Sequence, residues 1–239
     1  VAAAGALGLV TVARNADFHS EIGLWTDTAR KRPQNPRAHY NAGIVRLDRG
    51  SAADAVPYFE SAIRLKPQEA KAHSSLGNAL LELGRPADAA PRFAEAVRLR
   101  PDHARAWHNY GLALARSGRA TSALAPFESA LRLQPNSAKG HVALGNAYFQ
   151  LELPAEALLH YEAALRLDPT LADAHYNSGN ACLDLGRIDD ALPHFTAAVR
   201  LKPADAEIRN NFGAALLRAG QATEAIAQFE HALRLKPDY

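Results

Sequence analysis

Histidines are the residues of this 239-residue chain with the clearest capacity for acid–base catalysis or metal ligation, and there are ten of them. Four occupy one position of a 34-residue spacing, which core packing explains better than ligation: His39, His73, His141 and His175. His160 and His194 are also 34 residues apart and are expected to face each other on adjacent helices. No carboxylate or cysteine recurs with them at the spacing of metal ligands, so we predict a fortuitous pair and no metal site.

Other chemistry-bearing motifs are missing from the sequence. The single cysteine, Cys182, rules out an internal disulfide framework, and we expect it to be a buried structural thiol. The sequence contains no His-Glu-x-x-His zinc motif, no Gly-x-x-x-x-Gly-Lys-Ser/Thr phosphate loop and no Gly-x-Ser-x-Gly nucleophile elbow. We therefore predict a protein that is not an enzyme and uses no cofactor.

Asparagines form the most informative polar pattern. They occur two residues before or one residue after a glycine that recurs every 34 residues: Asn41, Asn78, Asn109, Asn146, Asn177, Asn180 and Asn211. These two positions are three residues apart and therefore neighbours on one face of a helix. Asparagine is a mediocre helix former, so its recurrence needs a reason. Either the amides were kept by repeat duplication or bond between adjacent helices, or they form a ladder that binds a peptide backbone.

A column of charged residues runs along the same face. The residue six places before the recurring glycine is basic at the first four glycines and acidic at the last two: Arg37, Lys71, Arg105, Lys139, Asp173 and Glu207. A mixed row beside it includes Tyr40, His108 and Tyr176. The change of sign along one line indicates a polarised groove suited to an extended peptide, with Arg37 to Lys139 at its basic end.

The elements that position these residues follow from a 34-residue repeat. Glycine recurs from Gly43 to Gly213, and each repeat closes on Arg-Leu-x-Pro. One aromatic column accompanies them: Phe59, Phe93, Phe127, Tyr161, Phe195 and Phe229. Each repeat is predicted to hold two helices. The first stops at a glycine suited to a left-handed C-terminal cap, at position 50 and its equivalents, and only Glu152 departs from this pattern.

The second helix is expected to begin near an aspartate such as Asp54 and to end before the closing proline. Pro57, Pro91 and Pro193 are predicted to lie in its first turn, where backbone N–H groups lack intrahelical partners. The recurring glycine allows close helix approach, and the aromatic is expected to fill the gap between neighbouring repeats. One hairpin cannot bury its apolar face alone, so the repeats must stack. The predicted fold is therefore an all-α solenoid.

These columns resemble the tetratricopeptide repeat (TPR), a helix–turn–helix unit. The resemblance covers six tandem repeats, numbered 1 to 6 below: 36–69, 70–103, 104–137, 138–171, 172–205 and 206–239. It implies a right-handed α-solenoid (superhelix) in which the first helices line a concave groove that binds protein or peptide partners. Chaperone-binding members clamp a terminal carboxylate with two asparagines and three basic residues. Asn78, Asn109 and Lys139 match three of these places, whereas Ser74 and Ala143 depart from the pattern.

Residues 1–35 form a degenerate repeat that keeps Trp25 and Pro33, with its second helix predicted over 21–32. Residues 1–13 are uncharged and apolar, which fits either a capping helix or the last half of a transmembrane helix. Residues 14–33 also resemble the junction before TPR tails of bacterial multi-span membrane proteins, some of which are similar to sugar transferases. The chain has no methionine, which indicates a processed product or a piece of a longer protein with a possible upstream membrane tether.

The function predicted from these patterns is a non-catalytic protein–protein interaction scaffold that binds an extended peptide or a partner helix. Two alternatives stay open. One is a substrate-presenting tail of a membrane-bound glycosyltransferase. The other is a self-stacking filament subunit, because no polar capping helix follows Pro237. Nucleic acid is not an expected partner, since 27 basic against 25 acidic residues give a net charge of only +2.

Overall fold

The computed structural model describes the backbone of residues 21–238 and the side chains of residues 23–238. This part of the chain contains thirteen α-helices and no strand, as the repeat pattern predicts. Helix α1 is Glu21–Lys31, close to the predicted second helix of the degenerate repeat. The predicted apolar helix over residues 1–13 lies outside the described residues.

Each repeat contributes a first helix and a second helix. The first helices are α2 Pro36–Asp48, α4 Ala70–Glu82, α6 Ala104–Arg116, α8 Ala138–Gln150, α10 Ala172–Asp184 and α12 Ala206–Arg218. The second helices are α3 Ala52–Leu65, α5 Pro86–Leu99, α7 Ala120–Leu133, α9 Pro154–Leu167, α11 Ile188–Leu201 and α13 Ala222–Leu235. Every first helix has 13 residues and every second helix 14, because no repeat carries an insertion.

Left-handed glycines end five of the first helices, as predicted. The glycines at these positions have φ between 68° and 77°, a region that costs a side-chain-bearing residue more than it costs glycine. Glu152 takes the same conformation with φ 59°, so one repeat makes this turn without glycine. The predicted place of Pro57 is wrong: α3 begins at Ala52, so this proline lies inside the helix, beyond the first turn. Pro91 and Pro193 are likewise inside α5 and α11.

The recurring glycine lies against the aromatic ring of its own repeat. A Cβ atom added at Gly43 would be 2.7 Å from the Phe59 ring, and one added at Gly145 would be 2.6 Å from the Tyr161 ring. The aromatic residue also reaches the next repeat, as at Phe195, whose ring centroid is 6.2 Å from that of Phe212. The aromatic column therefore joins the two helices of one repeat as well as neighbouring repeats.

The chain divides into two compact units, residues 1–117 and residues 118–239. In the described part, the first unit holds α1 to α6 and the second unit holds α7 to α13. Within each unit, consecutive helices pack on one another, and first helices of successive repeats lie side by side. Each unit is thus a stretch of α-solenoid. None of the helices between residues 21 and 238 combines the length and apolar character needed to cross a bilayer.

Candidate peptide-binding surface

The asparagines of successive first helices are hydrogen bonded in pairs. Three amide Nδ2 groups each donate to the Oδ1 atom of an asparagine one repeat earlier: Asn109 to Asn78 at 2.8 Å, Asn177 to Asn146 at 2.9 Å and Asn211 to Asn180 at 3.2 Å. The residue that follows the glycine in one repeat thus contacts the residue two places before the glycine in the next repeat. Bonding between adjacent helices, which the sequence left open beside repeat duplication and peptide binding, is present in all three pairs. Asn41 makes no side-chain hydrogen bond within the described residues.

These pairs retain hydrogen-bonding capacity. An asparagine amide has two N–H donors and an oxygen that accepts two bonds. Asn109 uses one donor, so its second N–H and its Oδ1, together with both Asn78 N–H groups, have no partner in the described part of the chain. Both side chains are half-buried at the surface rather than enclosed. The pair is therefore held in place while still able to bond a ligand.

Two tyrosines extend the amide network in the second unit. The Tyr161 hydroxyl donates to Asn146 Oδ1 at 2.8 Å from a fully buried position, and burial raises the pKa of this phenol. The Tyr176 hydroxyl donates to Glu207 Oε1 at 2.8 Å and accepts from Asn211 Nδ2 at 2.7 Å. Sequence reasoning missed the role of Tyr161. The signal in the sequence was that the aromatic column holds tyrosine only at position 161, in a repeat whose recurring glycine is followed by Asn146.

Two cavities in the first unit collect the predicted residues of that unit. One, of about 430 Å³, is lined in part by Arg37, Tyr40, Asn41 and Lys71. The second, of about 690 Å³, is lined in part by Tyr40, Lys71, Asn78, Arg105 and Asn109. Tyr40 and Lys71 line both cavities, so these seven predicted residues belong to one continuous surface. His108 lines neither cavity, whereas His103, which sequence reasoning did not single out, lines the larger one.

The charged column is paired differently in the two units. Arg37, Lys71 and Arg105 are exposed, and none has a carboxylate partner among the described residues. In the second unit, Lys202 Nζ lies 2.6 Å from Asp173 Oδ1, and Glu207 accepts a hydrogen bond from the Tyr176 hydroxyl. Arg37, Lys71 and Arg105 of the first unit are therefore available to pair with a ligand carboxylate, while Asp173 and Glu207 of the second unit each already have a polar partner. Lys139 is exposed in the second unit and lines neither cavity described above.

The histidine column supplies N–H donors. Nε2 of four histidines bonds the backbone oxygen of the proline six residues earlier: His39 at 3.0 Å, His73 at 2.9 Å, His141 at 3.2 Å and His175 at 3.1 Å. Trp107 Nε1 and Arg209 Nε donate to the equivalent oxygens of Pro101 and Pro203 at 2.8 and 2.9 Å. A ring or guanidinium N–H is the property these three residue types share. The hydrogen bond from this N–H links each first helix to the closing proline of the preceding repeat.

Two of these histidines are paired with a second histidine. His141 Nδ1 lies 3.3 Å from His160 Nδ1, and His175 Nδ1 lies 3.2 Å from His194 Nδ1. His160 and His194, which were expected to face each other, instead each contact the first-helix histidine of their own repeat. Burial and the neighbouring imidazole lower the pKa of both His160 and His194, which favours neutral rings at neutral pH.

Cys182 is buried, as predicted, with 1% of its surface exposed, and burial raises the pKa of its thiol. A thiol in this state is a weak nucleophile because little thiolate forms at neutral pH. The described side chains form no group of three histidine, cysteine, aspartate or glutamate residues that could hold a metal ion.

Comparisons with known proteins agree with the repeat pattern. The tetratricopeptide repeat model matches residues 22–70, 75–138, 142–206 and 176–239. YrrB, described as a TPR protein with an unusual peptide-binding site, is 24% identical over 76% of this chain and 93% of its own, with a TM-score of 0.63. MamA from Desulfovibrio magneticus RS-1 is 25% identical over 71% of this chain and 96% of its own, with a TM-score of 0.67.

PilF from Pseudomonas aeruginosa is 20% identical over 87% of this chain and 95% of its own, with a TM-score of 0.72. No curated protein sequence matches the chain. The family match supports a role in protein–protein interaction. Because the family model covers nearly all of residues 22–239, the chain belongs to the tetratricopeptide repeat family.

Proposed function

We propose that this chain is a non-catalytic scaffold that binds an extended, acidic peptide segment of a partner protein on the first helices of the first unit. The observation that carries the proposal is the meeting of unpaired basic residues, Arg37, Lys71 and Arg105, with the Asn78–Asn109 amide pair around two adjoining cavities. We call these five residues, with Tyr40 and Asn41, the basic surface.

An extended peptide suits the amides. A peptide backbone in extended form presents N–H and C=O groups at regular steps, and an asparagine can donate to one and accept from the other. Each such bond contributes a net of only about 0.5–1.5 kcal/mol, so several must act together. Asn41, Asn78 and Asn109 lie on three successive first helices and offer amides along one direction. The 690 Å³ cavity is lined by residues of all three helices, among them Tyr40, Asn78 and Asn109.

Acidic side chains suit the cations. Arg37, Lys71 and Arg105 are exposed, so each contact with a carboxylate contributes little free energy alone because water and salt screen it. Charge complementarity nevertheless sets the choice of partner and the rate of association. Acidic groups also line the cavities, Asp48 and Glu82 in the larger one and Glu69, paired with Lys66, in the smaller one, and they would repel a ligand carboxylate placed beside them. The ligand acids are therefore expected opposite Arg37, Lys71 and Arg105.

The second unit offers a weaker version of the same surface. Its groove residues are Asn146, Asn177, Asn180, Asn211, Tyr176 and Lys139. Hydrogen bonds within the unit already use Asn146 Oδ1 twice, from Tyr161 and Asn177. With Asp173 and Glu207 also engaged, this stretch is suited to backbone contacts rather than to recognition of charge.

A peptide-display experiment tests the proposal directly. Random peptides are selected on the purified chain and on the K71Q/R105Q variant. A matched control, R49Q/R92Q, removes the same charge from two exposed residues of the first unit that line neither cavity. We expect acidic sequences to be enriched on the wild-type chain and on the control but not on K71Q/R105Q. Enrichment of neutral or basic peptides on the wild-type chain, or equal enrichment on K71Q/R105Q, contradicts the proposal.

A further inference from the structure

Two histidine pairs in the second unit have the dimensions of a metal chelate. The Nδ1 atoms are 3.3 Å apart in His141–His160 and 3.2 Å apart in His175–His194. Zinc binds imidazole nitrogen at about 2.0–2.1 Å, and two such bonds at a tetrahedral angle separate their nitrogens by about 3.3 Å. The observed separations therefore allow one ion to contact both rings of a pair after a small rotation of the imidazoles.

The first-helix histidine of each pair is held in the tautomer that a metal requires. His141 Nε2 bonds the Pro135 oxygen, and His175 Nε2 bonds the Pro169 oxygen. A carbonyl oxygen only accepts, so the proton is on Nε2 and the Nδ1 lone pair of the neutral ring points at its partner histidine. Metal-ligating histidines commonly donate their other ring N–H to a backbone carbonyl in this way, which fixes the ring and raises its basicity.

The second-helix histidine can supply the other lone pair. In the neutral pair it carries the proton on Nδ1 and donates it to the first histidine. When that proton is on Nε2 instead, both Nδ1 lone pairs are available to an ion, and no proton is lost from the pair. Tyr148 stacks on His160 with ring centroids 5.5 Å apart, which holds the His160 ring in place.

The surrounding charges include carboxylates that attract a cation. Glu128 acts electrostatically on His160, while Glu162 and Asp190 act on His194. Arg187 opposes this effect at His194 and is bonded to Asp190 at 2.7 Å, so these two charges largely offset each other and Glu162 is the remaining carboxylate there. Each pair is half-buried rather than enclosed, so an ion can enter from solvent and keep water as its remaining ligands.

From these observations we infer that His141–His160 and His175–His194 are two bis-histidine sites for an imidazole-preferring divalent metal ion, with Zn²⁺ as the ion whose bond lengths fit. Each ion would link the first and second helices of one repeat, α8 to α9 and α10 to α11. Because an ion bound to the folded state stabilises it by mass action, the second unit would become more resistant to unfolding when the metal is present.

Repeat 6 provides the substitution for a test. There, Arg209 and Gln228 occupy the same two positions, and Arg209 donates to Gln228 Oε1 at 2.9 Å. Glutamine therefore fits the second-helix position of a folded repeat. H160Q and H194Q each remove one proposed ligand while keeping a polar side chain of similar reach. His231, an exposed histidine on α13, gives the control variant H231Q.

The test is a calorimetric titration of the full chain, purified without a histidine tag, with ZnCl₂ at neutral pH. We expect two ions per chain for the wild type and H231Q, one for H160Q or H194Q, and none for H160Q/H194Q. Circular dichroism of each variant without metal reports its fold, and added Zn²⁺ should raise the unfolding temperature of the wild type but not of H160Q/H194Q. No zinc uptake by the wild type, or equal uptake by a folded H160Q/H194Q, overturns the inference.

Discussion

Asn109 donates a 2.8 Å hydrogen bond from its side-chain Nδ2 to the Oδ1 of Asn78, on the preceding first helix. The two residues occupy different positions of the repeat, one before and one after the recurring glycine. Adjacent first helices are therefore offset so that these positions meet. The alternation of asparagine between the two columns follows from this offset, which the same bonds at Asn177–Asn146 and Asn211–Asn180 repeat.

A double-mutant cycle over N78A, N109A and N78A/N109A should measure this bond. We expect a coupling free energy of about 0.5–1.5 kcal/mol in urea unfolding, because the partly buried pair exchanges a bond to water for one within the protein. The same cycle on Asn41 and Asn78, which are not bonded to each other, is the control. Additive effects in the first cycle would show that the bond contributes nothing to stability.

G77A should lower the free energy of unfolding by roughly 1–3 kcal/mol, because the new methyl group would be 2.7 Å from the buried ring of Phe93. Chemical denaturation monitored by circular dichroism gives the value. Combining G77A with F93L should cost less than the sum of the two single changes, since the smaller side chain relieves the clash. Strict additivity would mean that the glycine is required for some reason other than the ring.

E152G should raise the free energy of unfolding by roughly 0.5–1 kcal/mol. Glu152 is exposed and left-handed, with φ 59°, and glycine removes the strain of a side chain in that region while losing some entropy on folding. The reverse change at an equivalent turn, G186E, should destabilise the chain, because Gly186 has φ 73°. Thermal unfolding of the two variants checks both signs, and a destabilised E152G would refute this explanation.

The Cys182 thiol should react with a disulfide reagent far more slowly in the native chain than in the chain unfolded by urea. Burial excludes the reagent and raises the pKa of the thiol, so little thiolate is present at pH 8. The native rate should follow local or global opening and increase with denaturant. Equal rates in the native and unfolded chains would contradict a structural thiol.

Much of the fold could be predicted from spacing alone. The period of 34 residues, the helix pairs and the left-handed end at Gly50 and its equivalents all depend on local chemistry that a single repeat displays, whereas the left-handed end at Glu152 was not predicted. The place of Pro57 could not be predicted as well, because helix starts vary by a residue or two around the aspartate that signals them.

Side-chain partners were harder to predict because they depend on how one helix is rotated against the next. A 34-residue spacing suggested that His160 would meet His194, yet each lies against a first-helix histidine of its own repeat. The N–H donation shared by His39, Trp107 and Arg209 was hidden by their different sizes and charges. The glycosyltransferase-tail and filament alternatives, and the membrane-junction resemblance, stay predictions.

The most direct test of the central claim is the affinity of one selected acidic peptide for chains with and without the basic surface. Fluorescence anisotropy with the labelled peptide should show at least a tenfold loss for K71Q/R105Q, equivalent to about 1.4 kcal/mol, and no loss for R49Q/R92Q. Binding to the wild type should also weaken as salt is added, because the proposed contacts are exposed ion pairs. Equal affinities for the wild type and K71Q/R105Q would contradict the account.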